Sequence, residues 1–213
     1  MGLPEESGTL IIRQTHLDRS TEKPADLQIR RINTSDDGAA VAGHVTPALI
    51  DDGLKNASTI VAGASLLFAK WARDFQKHSN QLPMFDQEVS NQAGGDPNIT
   101  YYHSHWALGP DEALVIDAQP PECEHWNFQL NNYWLESLDY RYYTIHTNKH
   151  LATYRPDGSV RIVVAHEDPG VPNWLDTEGR DNGIVYWRFL MPEGEMAPMQ
   201  TRVVKLAELQ RTG

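Results

Sequence analysis

From Ile99 onward every segment of the chain reads as β-strand, and none carries the spacing of a helix until the last residues. No other feature narrows the fold as far. The runs Ile99–Trp106, Glu112–Ala118, His125–Trp134, Tyr140–Thr147, Leu151–Tyr154, Ser159–His166, Ile184–Met191 and Arg202–Leu209 each read as a strand, the last with a terminal helix as the alternative. Pro156-Asp157-Gly158 is a tight-turn signal inside a hairpin. Strands with turns at this regular spacing predict a mainly β fold, an antiparallel jelly-roll-like β-sandwich.

Upstream the period changes. Thr46-Pro47 reads as an N-cap followed by proline at the first helical position. Ile50, Leu54, Ala57, Val61, Ala64, Phe68, Trp71 and Phe75 then recur at alternating spacings of four and three, predicting one long amphipathic helix to about His78, packed beside the sandwich. Gly53 and Gly63 each weaken it by about 1 kcal/mol against alanine, so a break near Ser58–Thr59 stays open. Thr9–Leu17 and Leu27–Ile32 read as two short strands, and 79–98 as a long loop, either a lid or a plain connection. The expected division is 1–98, with the helix, and 99–213, with the sandwich, together one compact unit.

Charge excludes some partners. With 29 acidic against 18 basic residues the net charge is −11, a field that repels phosphate backbones and anionic headgroups, so no nucleic acid and no membrane surface is expected as a partner. No apolar run approaches the roughly 20 residues of a membrane helix, and the first residues carry no signal-peptide pattern. A single cysteine, Cys123, excludes an internal disulfide framework. The expectation is an acidic, soluble, cytoplasmic protein without a cofactor. A homo-oligomer is plausible on the heptad-like helix stripe and the strand edges.

Function points first to the segment His125–Arg141, where one row carries Trp126, Phe128, Leu130, Asn132 and Trp134 and the other His125, Asn127, Gln129, Asn131 and Tyr133. Asparagine is depleted in strands, so this density of uncharged amides beside tryptophans suits a concave surface that stacks on and hydrogen-bonds a ligand. Trp126, Asn127, Gln129, Asn132, Trp134, Tyr140 and Asn148 are the candidate ligand-binding residues. The competing reading is that the rings fill the core and the amides satisfy turns. Arg188 interrupts the apolar run IVYWRFL on the face of Ile184, Tyr186 and Leu190, and a charge there must be paired or face a cavity. Arg188 and His103 are the groups expected to do any chemistry.

The runs PDEALVIDAQPPECEHWNFQLNNYWLESLDYR and HEDPGVPNWLDTEGRDNGIVYWRFL, with the motif PxxPNWLDTxG standing at Pro169–Gly179, resemble a bacterial family known as domain of unknown function 1214. The similarity covers roughly residues 95–207, and EESGTLIIRQTHLDRSTEKPADLQIRRI resembles the segment that leads into that domain in longer relatives. The resemblance implies a jelly-roll-type sandwich, bacterial origin and, in other relatives, a further upstream domain. It implies no established reaction and no set of catalytic residues.

Other constellations carry less. His103-Ser104-His105 could open a cupin-like metal site, with Glu112 as third ligand and His125, His146, His150 or His166 as further candidates. Six residues separate His105 from Glu112, where the cupin pattern has three or four, so satisfied sheet histidines are the plainer reading. Cys123 between Glu122 and Glu124 is a poor thiolate, and Ser104 has no positioned base. Asp111-Glu112 and Asp176 read as caps of turns, and Asp139 with Arg141 as an ion pair. The function expected is therefore binding, and turnover without a metal if there is any, of a neutral, partly apolar, hydroxylated metabolite. The alternatives are a metal-dependent cupin-like enzyme and a non-catalytic oligomerisation module.

Overall fold

The computed structural model describes residues 12, 14, 16, 20–29 and 44–209. The predicted strands Thr9–Leu17 and Leu27–Ile32 fall largely outside these; residues 22–29 that are described run without regular structure. The chain divides into two compact units, Met1–Asp52 and Gly53–Gly213, and all the strands lie in the second.

Among the described residues, eight strands form two four-stranded sheets. β1 (Ile99–Ala107), β3 (His125–Asn131), β4 (His146–Asn148) and β7 (Asn182–Leu190) make the first, in the order β1-β7-β3-β4. β2 (Glu112–Ala118), β5 (Val160–Ala165), β6 (Trp174–Asp176) and β8 (Gln200–Lys205) make the second, in the order β6-β5-β2-β8. Every pair is antiparallel except β5 with β6, which makes the second sheet mixed. This order establishes a mainly β unit of two sheets over a common core.

The core follows from the alternation. Tyr102 and Trp106 of β1, Leu114 and Ile116 of β2, Trp126, Phe128 and Leu130 of β3, Ile162 and Val164 of β5, and Val185, Trp187 and Phe189 of β7 form one buried cluster. Burying each such side chain is worth about 1.5–3 kcal/mol, enough to fix the register of both sheets. Gly183 marks a tight approach: a Cβ there would run into the Asn131 carbonyl and lie 2.9 Å from the Trp106 ring. The outer face of the second sheet is apolar too, and Ala113, Val115, Val163 and Ala165 are covered with Leu209 of α3 (Leu206–Leu209).

α1 (Pro47–Phe75) starts as expected, with Thr46 Oγ1 accepting from Leu49 N at 3.2 Å. It is unbroken at Ser58–Thr59, where the two hydroxyls donate to the carbonyls of Leu54 and Lys55. Its packing is less than predicted, because Ala72 and Phe75 alone are buried. A 3-10 turn (Gln76–His78) follows, and its exit is pinned to β1. Asn80, at φ 60, donates from its backbone N to His105 O, and its side chain makes two bonds with the Ala107 backbone, at 2.8 and 2.9 Å. The loop at 79–98 is structured: Met84 bridges to Tyr102, Phe85 N donates to Tyr101 O, and α2 (Gln87–Gln92) is capped by Asp86, whose carboxylate accepts from Val89 N.

Three strand predictions shift. β3 stops at Asn131 because Asn132 turns the chain, β4 keeps only the end of Tyr140–Thr147, and Leu151–Tyr154 is reduced to a bridge between Tyr154 and Val160. β6 was not anticipated, since three residues carry too little alternation to read.

Candidate functional site

β1, β7 and β3 lie side by side in the first sheet, with Tyr101 opposite Arg188, His103 opposite Tyr186, and Gln129 opposite Tyr186 from the other side. All five project from the face away from the main core. Over this floor stand Phe68 and Trp71 of α1, Phe85, the Ser90–Gly95 segment at the end of α2, and Leu135 and Ser137 of the turn after β3. Together they bound a cavity of about 420 Å³, open to solvent on one side.

Each wall is held by a local device. Gly95 lets the end of α2 fold tightly, because a Cβ there would collide with Ser90. Leu135 is brought to the mouth at φ 69, a left-handed conformation costing about 1–3 kcal/mol for a non-glycine residue. The Asn131 side chain steadies it, donating to Leu135 O at 2.6 Å while accepting from Gln129 Nε2 at 3.1 Å. Asn132 completes the turn: its side-chain oxygen accepts from the backbone N of Trp134 and Glu136.

The cavity is aromatic with one cation. The Arg188 guanidinium lies 4.7 Å from the centre of the Tyr186 ring, a cation–π contact. His103 is boxed by Phe75, Phe85, Tyr101 and Tyr186, with ring centres between 4.5 and 5.5 Å. Burial, reinforced by the nearby Arg188 charge, holds its pKa down at about 3. Its Nε2 is buried without a partner. As placed, His103 is a neutral wall ring at physiological pH and a weak proton acceptor. Burial raises the Tyr186 phenol, partly opposed by Arg188, so it stays protonated. Among the described residues, no aspartate or glutamate lines the cavity.

The predicted ligand-binding residues do not all meet here. Gln129 does, with the expected chemical pair His103 and Arg188. Trp126 faces the core at 1% exposure and donates its indole N–H to Tyr154 Oη, so it cannot wall this cavity. Asn127 shares the outer face, paired with Arg188 and Asn148 across β7 and β4, but is not part of the lining. Asn132 and Asn148 are turn caps, the latter accepting from the backbone N of His150 and Leu151. Trp134 and Tyr140 are exposed in the segments after β3. Residues the site adds are Phe68, Trp71, Phe85, Tyr101, Asn131, Leu135 and Tyr186. Several carried a signal: Tyr186 shares the row of Arg188, and Trp71 lies on the helix stripe.

The metal alternative does not assemble. His103 and His105 share a face, but His105 Nδ1 is engaged with Ser79 Oγ at 2.8 Å. Glu112 belongs to the other sheet, where it accepts from Gly109 N and pairs with Lys205. Among the described residues no group of three His, Cys, Asp or Glu is placed to hold a metal ion. Cys123 is buried, which raises its thiol pKa. Asp176 caps a turn through Glu178 N, and Asp139 pairs with Arg141 at 2.8 Å. A second cleft of about 550 Å³, at Thr100, Cys123 and Met191, is lined by Glu122, Glu124 and Glu193 and by no ring or cation that could hold a ligand. Among the described residues, no helix is long and apolar enough to cross a membrane.

Residues 111–194 match the family described as protein of unknown function, DUF1214, so the resemblance carried by the quoted motifs holds over that span. The crystal structure of an uncharacterized protein from Burkholderia cenocepacia is similar at 48% identity and a TM-score of 0.84 over 92% of this chain. The chain spans about half, 53%, of the length of that protein. A crystal structure from Vibrio parahaemolyticus is more distant, at 17% identity and a TM-score of 0.45, covering 55% of this chain and 34% of that one. Among curated proteins none matches.

Proposed function

We propose that this chain, whose residues 111–194 fall in a family of unknown function, is a small-molecule-binding β-sandwich protein whose site is the cavity between α1, α2 and the outer face of β1-β7-β3. The ligand is a partly apolar metabolite with a neutral, hydroxylated body. The observation that carries this reading is the grouping of Gln129, Arg188 and Tyr101 over a floor of rings within one cavity of ligand size. Trp71, Phe85 and Tyr186 would stack on the apolar body, while Gln129 and Tyr101 would orient its hydroxyls. Any turnover would be metal-independent and would run at Arg188, since His103 is held neutral.

Ser137 is exposed at the mouth, so Ser137→Trp fills the entrance without disturbing the core. Ligand-observed NMR with a metabolite library should find binders to the native protein, and the variant should lose them at unchanged thermal stability. Binders that survive in Ser137→Trp would place the site elsewhere.

A second reading has its own observation. Leu54, Val61 and Phe68, one edge of the four-three stripe on α1, are 63%, 65% and 43% exposed. That spacing is self-complementary in paired helices, so the stripe fits a second copy of this chain. Sedimentation velocity showing a monomer at about 100 μM, a concentration at which even weak pairs form, would end this reading.

A further inference from the structure

Resting on the binding reading above, we infer that the ligand is a phenol, whose aromatic ring seats among the cavity rings and whose hydroxyl donates to His103 Nδ1. His103 lines the cavity and forms no hydrogen bond among the described residues: its Nε2 is buried without a partner, and nothing bonds Nδ1. Buried polar groups are nearly always satisfied within a protein. An exception that borders a cavity marks a place where a ligand supplies the missing bond.

The surroundings set the tautomer. Of the four rings around His103, three stand edge-to-face with it, at 4.5 to 5.5 Å between centres. An N–H enclosed by rings gains from their π faces, whereas a lone pair there meets the negative π cloud. The hydrogen is therefore assigned to Nε2, the enclosed nitrogen, and Nδ1 carries the lone pair. A ligand that meets Nδ1 must donate. Burial holds the imidazole neutral near pH 7, so the proton stays on the ligand oxygen. The walls set the body. Phe68 meets Trp71 at 62° and 5.5 Å, and Trp71 meets Phe85 at 83° and 6.3 Å, a run of edge-to-face rings. A further aromatic ring extends that packing, and an alicyclic body has no π face with which to do so. A phenol hydroxyl lies in the plane of its ring, so the edge turned to His103 carries the donor. With a pKa of about 10 it is a stronger donor than an alcohol and is still protonated at pH 7.

The test compares three probes at pH 7.5 by isothermal titration calorimetry: 4-ethylphenol, 4-ethylanisole, in which a methyl replaces the donated hydrogen, and 4-ethylcyclohexanol, which keeps the hydroxyl and loses the aromatic ring. The phenol should bind the native protein about fivefold or more tightly than either of the others, as one buried hydrogen bond implies. His103→Phe keeps a ring and removes the acceptor. It should bring the phenol down to the level of the anisole and leave the anisole within about twofold of its native affinity. Ser137→Trp should abolish binding of all three. Equal binding of phenol and anisole by the native protein, lost in Ser137→Trp, overturns the phenol inference and leaves the cavity as a binding site. Cyclohexanol binding as tight as that of the phenol overturns the aromatic body. Phenol affinity unchanged in His103→Phe overturns the role of His103. No binding of any probe at millimolar concentration, or binding that survives in Ser137→Trp, overturns both the inference and the binding reading. If His103→Phe does not fold, nitrogen-15 NMR of the native protein decides: the His103 Nδ1 resonance should move with the phenol and not with the anisole, and a resonance that stays in place overturns the inference.

Discussion

At the residue scale, His103 separates two roles that a histidine in a pocket can have. Its folded-state pKa of about 3 lies below the value of about 6.5 expected when unfolded. As pH falls below about 6.5 the unfolded chain takes up a proton that the folded protein refuses, so stability falls with a slope of at most about 1.4 kcal/mol per pH unit until about pH 3. His103→Phe keeps a ring among Phe75, Phe85 and Tyr186 but removes that dependence. Urea unfolding at pH 7 and pH 5 should show the native protein losing about 1–2 kcal/mol relative to the variant. An equal difference at the two pH values would mean that His103 titrates normally and is open to water. Gln129 was legible because β3 alternates through Leu130, and Arg188 because a lone charge interrupts an apolar run, while Tyr186 carried only the signal of sharing the row of Arg188. Trp126 was not, because indole beside amides looks the same in sequence whether the row faces ligand or core.

At the element scale, β1 and β7 were legible to within a residue or two, β3 was read three residues too long, and the walls were not legible. β1, β2, β5 and β7 run for six to nine residues rich in β-branched and aromatic side chains, long enough to read as strands although β2, β5 and β7 are buried almost continuously. The wall turn after Asn131 depends on one asparagine side chain accepting two backbone bonds and on Leu135 at φ 69, and neither has a periodic signature. The loop at 79–98 could be read as long, but its pairing with β1 is a backbone event that side chains do not announce. The helix α1 was legible in extent and misjudged in packing, since a stripe of period 3.5 shows that a face is apolar and says nothing of what covers it. If a second copy covers it, Val61→Asp should convert a dimer to a monomer at unchanged helicity, because Val61 is exposed within the chain. Analytical ultracentrifugation of the variant beside the native protein decides this; a native monomer or a variant that remains dimeric refutes it.

At the scale of the whole molecule, the second sheet is tied by one carboxylate. Asp117 on β2 accepts from Arg161 on β5 at 2.8 and 2.9 Å and from Arg202 on β8 at 2.7 Å, with Arg155 at 3.0 Å. Burial alone would raise its pKa, but hydrogen bonds from Arg161 and Arg202, with the further charge of Arg155, pull it well below the usual carboxylate range. The folded value is depressed, so the contribution is complete above the unfolded value of about 3.9 and is lost as pH falls through the folded one. Asp117→Asn should cost about 1–2 kcal/mol at pH 7, discounted for the partial exposure of the arginines, and progressively less as pH falls below about 3.9. Chemical denaturation at pH 7 and at pH 2 checks it, and a cost unchanged between the two would show that the clamp acts by packing.

The strand order of the first sheet also sets the timetable on which the chain can fold. β7 lies between β1 and β3 and begins only at Asn182, so neither earlier strand has its principal partner until residues 182–190 have been made. Until then Tyr102, Trp106, Trp126 and Phe128 have no Trp187 or Phe189 to pack on, and two strand edges stand open. A chain arrested before β7 should therefore expose those rings and strand edges, the surfaces through which partly folded chains associate.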